Sequence, residues 1–91
     1  MRFEWDEEKR RINLTRHGFD FVDAEQVFEN ETATILDDRF DYGEIRFVSF
    51  GLLKGFVVAV VPNQVKEITR IISFRKATKN EERYYFEKIR N

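Results

Sequence analysis

Three arginines stand where a small protein has few positions to give away from its core. Arg46, Arg70 and Arg75 fall in or beside stretches that read as β-strands. A guanidinium is planar and presents paired donors, a shape that suits phosphate. Taken singly, each arginine is accounted for by a salt bridge at a sheet edge; taken together they are candidates for stabilising a charged phosphate. Arg70 and Arg75 flank Ile71-Ile72-Ser73-Phe74, and in a regular strand they point to opposite faces. Both reach one site only through a bulge or the frayed end of the strand. Glu44 and Arg46 share a face, and Glu81 and Tyr85, one helical turn apart, can act together near the sheet.

Other chemistries find little support. With one His and no Cys, disulfides and thiolate sites are excluded, and a zinc site would need carboxylates for most of its ligands. Asp37, Asp38, Asp41 and Glu44 match no calcium loop and read as a solvated acidic turn. There is no Gly-rich dinucleotide or phosphate loop, and Ser49 and Ser73 lack a nucleophile-elbow context. No metal or cofactor is expected. The longest apolar run, Phe56-Val57-Val58-Ala59-Val60-Val61, is far too short to cross a bilayer, and Met1 to Asp6 holds no signal-peptide core. A soluble cytoplasmic protein with no membrane contact is expected, and a reducing compartment suits the absence of Cys.

The formal net charge of −1 hides an uneven distribution. Residues 20–44 carry nine acids against Arg39 alone, while residues 64–91 carry eight bases against four acids. Such asymmetry points to a localised electropositive site, or to two partners of different charge.

These residues must be held by a single domain over residues 1–91, since the chain is long enough for one core and not two. Phe3-Glu4-Trp5 reads as a short strand. Asp6 caps a helix that runs to about Arg16 and stops at Gly18. Lys9, Ile12, Asn13, Arg16 and His17 share one broad face of it, unusually polar for a packed helix. Asp20 caps a second helix over about Phe21 to Phe28, with Phe21, Ala24, Val27 and Phe28 as a core stripe. Four strands follow: Thr32 to Leu36, Ile45 to Leu53, Phe56 to Val61 and Ile68 to Phe74. Short connections, the last at Pro62-Asn63-Gln64, predict an antiparallel meander with a central strand covered on both faces. Thr78-Lys79-Asn80-Glu81 is a capping box that opens a final helix.

In order and spacing, these residues resemble the BrnT-type toxins. The opening carries Phe3-Glu4-Trp5-Asp6, Lys9, Asn13 and His17-Gly18, followed by Phe21, Ala24 and Val27-Phe28. The middle carries Gly43-Glu44, Arg46 and Gly51; the close carries Arg70-Ile71-Ile72-Ser73, Arg75, Ala77-Thr78, Glu81 and Tyr85. Phe74 departs from the pattern, standing where such proteins usually have a small residue.

The resemblance implies an α+β, RelE-like fold: an antiparallel sheet of four or five strands, packed by two N-terminal helices and one C-terminal helix. It implies a metal-independent endoribonuclease toxin of a type II toxin–antitoxin pair that cleaves mRNA and blocks translation. The implied partners are an RNA substrate and a BrnA-like protein antitoxin, with DNA reached only through the antitoxin in a complex able to dimerise. Cleavage by the RNA's own 2′-hydroxyl needs a base, a stabiliser of the charged phosphorane and a proton for the leaving 5′-oxygen. His17 or Glu44 is the candidate base, and Arg46, Arg70 and Arg75 are the stabilisers. Tyr85 is expected to stack on a base or donate a proton, and Lys9 and Lys76 to contact substrate. The plainer alternatives are a His17 that caps helix carbonyls and a Tyr85 that belongs to the core. At the level of the whole protein, the alternatives are a non-catalytic binding module or a degenerate toxin that serves as antitoxin partner and co-repressor.

Overall fold

A computed structural model describes residues 2–37, 43 and 46–90. The elements run β1 (Arg2–Glu4), α1 (Glu7–His17), α2 (Ala24–Glu29), β2 (Ala33–Leu36), β3 (Phe47–Leu53), β4 (Phe56–Val65), β5 (Ile68–Lys76) and α3 (Lys79–Arg90). Local chemistry fixes the helix ends. Asp6 Oδ1 accepts from the amides of Glu8 and Lys9 at 2.9 and 3.2 Å, with Glu7 and Glu8 at the positive end of the α1 dipole. Gly18 closes α1 at φ 79°, a left-handed conformation that glycine adopts without penalty, and its amide donates to Leu14 O at 2.8 Å. The expected second helix opens as a 3₁₀ turn over Phe21–Asp23, capped by Asp20, and becomes α-helical only from Ala24.

The sheet order is β1-β5-β4-β3-β2. Strands β2 to β5 form the expected antiparallel meander, joined between β3 and β4 by the two-residue turn Lys54-Gly55, both at positive φ. The sheet is mixed rather than wholly antiparallel, because β1 lies parallel to β5, with Phe3 opposite Thr69 and Glu4 opposite Arg70. Nothing local imposes a direction on that pairing, since β1 and β5 are separated by most of the chain.

β4 also runs further than expected. It continues through Pro62, Asn63 and Gln64 to Val65, and the turn falls at Lys66-Glu67. Proline is tolerated here because the β4–β5 register shifts between Val61 and Pro62: Val61 opposes Ser73, Pro62 opposes Ile71, and Ile72 is the surplus residue of a bulge.

Both faces of the sheet are covered. On one, Phe21, Ala24 and Val27 pack on Leu53, Val58, Val60, Ile71 and Phe74, with Phe3, Trp5, Phe19 and Phe28 around them. On the other, Tyr85 of α3 packs among Val48, Phe50, Val57, Ala59 and Val61. The apolar run of β4 thus alternates between two cores, as a central strand requires. The α2 layer approaches β3 closely at Gly51, where a Cβ would lie 2.7 Å from Val27 Cγ1. The capping box is formed: the Glu81 amide donates to Thr78 Oγ1 at 3.2 Å, and the Thr78 amide donates to Glu81 Oε1 at 2.9 Å.

Candidate functional site

β1 pairs with only the first part of β5, up to Arg70, and α1 covers the edge beyond it. The contact is made by Asn13, the buried member of the polar α1 face. Its Nδ2 donates to Phe74 O at 2.7 Å and Phe19 O at 3.0 Å, and its Oδ1 accepts from the Phe74 amide at 3.2 Å. A side-chain amide thus serves Phe74 as a neighbouring strand would. The rest of that helix face stays open: Lys9, Ile12, Asn13, Arg16 and His17 line a cleft of about 250 Å³ with Ile72 and Ser73 of β5. The five residues grouped by helical spacing therefore do line one recess, with Lys9, Arg16 and His17 exposed at its surface. His17 forms the last turn of α1 with Arg16, and the cap itself is made by the Gly18 amide.

The bulge determines what else faces this cleft. Ile71 and Phe74 both pack into the α2-side core, while Ile72 packs on the α3 side. Alternation on either side of the surplus residue therefore sends Arg70 and Arg75 to the same α3-facing side, along with Ser73. Arg75 lies two residues beyond Ser73, about 7 Å along the strand. Its guanidinium meets Glu81 as a bidentate pair, Nη1 to Oε1 at 2.7 Å and Nη2 to Oε2 at 2.9 Å, with both side chains about one-fifth exposed. These hydrogen bonds hold the Glu81 carboxyl below its ordinary range, against the opposing effect of burial.

The remaining candidates lie elsewhere. Arg70 pairs with Glu4 at 3.1 Å on the exposed rim of β1, no more than about 17 Å from Arg75 along the strand. Arg46, half-buried, immediately precedes β3, and its carbonyl accepts from the Asp37 amide at 2.8 Å. It lies toward the Arg70 end of the sheet, because β3 and β5 are both antiparallel to β4. Lys76 is exposed, its ammonium 5.4 Å from the centre of the Phe56 ring. Glu44 lies outside the described residues.

Tyr85 takes the plainer of its two readings. It is 1% exposed, its hydroxyl donates to Glu31 O at 3.1 Å, and burial pushes its pKa up. A ring enclosed in this way has no face on which a base can stack. Glu81 and Tyr85 likewise part company, one turning to Arg75 and the other to the β2 side of the core. Arg16 and Ser73 line the cleft without having been given a role from the sequence, and Glu81, expected to act with Tyr85, pairs with Arg75 instead. The signal for Glu81 was its capping box, since a carboxylate that caps a helix has oxygen lone pairs to spare.

Among the described residues, no three His, Asp or Glu side chains converge as a metal site requires, and no helix is long and apolar enough to cross a membrane. The cleft and the arginine beside it present cationic and hydrogen-bonding groups to an anion. The model of a family described as the ribonuclease toxin BrnT of type II toxin–antitoxin systems matches residues 5–81. The chain belongs to the BrnT family. The match spans every element that builds the site, from α1 to the first turn of α3. A comparison with curated proteins gave no match. As a BrnT-family ribonuclease toxin, the protein has RNA as its target and a protein antitoxin as its partner.

Proposed function

We propose that this BrnT-family chain is a RelE-like, metal-independent endoribonuclease that cleaves mRNA and blocks translation. A DNA-binding antitoxin neutralises it. The observation that carries the reading is the cationic cleft between α1 and β5, with Lys9, Arg16 and His17 on one wall and Arg75 just beyond Ser73. The RNA 2′-hydroxyl attacks the adjacent phosphorus while the bond to the 5′-oxygen breaks, so one proton must leave the nucleophile and one must reach the leaving group. His17, the one imidazole lining the cleft, is the group placed to take the proton from the nucleophile. Arg75 stabilises the charge that accumulates on the phosphorane oxygens, and Lys9 holds the substrate backbone. Arg70, Arg46 and Lys76 lie further along the α3-facing side or at the sheet ends, and serve flanking phosphates.

Induction of the protein followed by analysis of cellular mRNA tests this. Arrest of growth with fragmented transcripts is expected, and Arg75→Ala should abolish both while the protein stays folded. Intact transcripts under wild-type induction would favour the binding-module reading, and full toxicity of Arg75→Ala would remove Arg75 from the site.

A further inference from the structure

A guanidinium has five N–H donors, and the contacts of Arg75 use them unevenly. Glu81 takes one from each terminal nitrogen, and the Lys76 carbonyl lies 3.3 Å from Nη1. Two donors remain, Nε–H and the second hydrogen of Nη2, side by side on one edge of the plane. No described residue accepts from Nε, and no buried side-chain nitrogen or oxygen among the described residues lacks a partner, so Nε is not sealed from solvent. Paired donors on one edge are the arrangement that takes two oxygens of a single phosphate.

Glu81 is itself fixed. Its Oε1 also accepts from the Thr78 amide, and its own amide donates to Thr78 Oγ1, so the carboxylate is tied to the first turn of α3. A long, rotamer-rich side chain on a strand is thereby given one orientation by a short one on a helix. The carboxylate offsets the charge of Arg75, and the adjoining cleft keeps the cations Lys9 and Arg16. We propose that Glu81 is a positioning residue: it clamps the far end of the Arg75 guanidinium so that the Nε–Nη2 edge presents to one phosphate of the RNA. The proposal rests on the ribonuclease reading, and adds to it a residue that acts through Arg75 without touching substrate.

Glu81→Gln tests it, because glutamine preserves the capping box while removing the charged clamp. Cleavage of a short RNA is measured for wild type, Glu81→Gln and Thr78→Ala. In parallel, the Arg75 Nε–H resonance is followed as a DNA oligonucleotide of the same sequence is added, which has no 2′-hydroxyl and is not cleaved. Expected for Glu81→Gln are a kcat lower by about 10- to 100-fold with KM little changed, and an Nε–H signal that no longer responds to the oligonucleotide. Thr78→Ala removes the hydroxyl that caps α3 but keeps the backbone amide that holds the Glu81 carboxylate, so it should melt at lower temperature and keep the wild-type kcat. A Glu81→Gln kcat equal to that of wild type overturns the proposal. If wild type cleaves no RNA, the ribonuclease reading fails and the spectra alone decide. A response in wild type that Glu81→Gln loses sustains the clamp, whereas no response in wild type, or equal responses in both, refutes it. Should Glu81→Gln not fold, Glu81→Asp, which keeps the charge but withdraws the oxygens, is read in the same way.

Discussion

Asn13 and Phe74, 61 residues apart, are joined through both backbone groups of Phe74, with the side-chain amide of one standing in for a strand beside the other. Helix α1 is thereby fixed to the edge of β5 at the point where the cleft begins. Asn13→Ala would orphan a buried amide and a buried carbonyl, since Phe74 is fully enclosed. A loss of about 2–4 kcal/mol is expected from chemical denaturation. A loss below about 0.5 kcal/mol would mean that water satisfies both groups.

Arg75→Lys separates charge from shape. Lysine keeps the positive charge but cannot make the bidentate pair with Glu81 or offer a second pair of donors to phosphate. Cleavage should fall by about 10²- to 10³-fold in kcat with the fold retained, as for the loss of one preorganised donor. Near-full activity in this variant would show that charge alone suffices.

Acidification should weaken the fold in part through Glu81. Its folded-state pKa is depressed, chiefly by the hydrogen bonds from Arg75. The stabilisation is therefore present above the unfolded carboxyl value of about 4.3, and is lost as pH falls through the lower folded value. Denaturation midpoints of wild type and Glu81→Gln should differ most near neutrality and converge below about pH 4. A gap that widens on acidification would contradict the assignment.

Gly51→Ala probes the contact between α2 and β3. The added carbon would sit 2.7 Å from Val27 Cγ1 and 3.2 Å from Thr32 Cγ2, and Val27 has no room to withdraw. Overpacking of this kind costs about 1–3 kcal/mol, measurable as a lower melting temperature. An unchanged melting temperature would mean that α2 shifts freely on the sheet.

What could be read from the sequence was whatever depends on neighbours along the chain. The Asp6 and Gly18 caps, the Thr78–Glu81 box, the polar α1 face and the two-sided apolar run of β4 each rest on a few consecutive residues, and each is present. What escaped depends on partners brought in from afar. The parallel pairing of β1 with β5 has no local signature. The Pro62 segment read as a loop because proline breaks a ladder, yet the shift in β5 supplies the place where that does no harm. Tyr85 had the chemistry of a catalytic group, and only the position of Glu31 revealed it as an anchor between α3 and the chain entering β2. For Arg70 and Arg75, parity showed that a bulge was needed for both to face one way, and the bulge is there.

The surplus residue of that bulge separates two properties that a strand ordinarily sets together. If Ile72 were deleted and the strand became regular, Arg70 and Arg75 would stand four positions apart and still share a side. What would vanish is the added twist and bend that a bulge brings. Ile72 therefore sets the direction in which Arg75 leaves the sheet, and shortening β5 by one residue would re-aim that guanidinium without moving it to the other face.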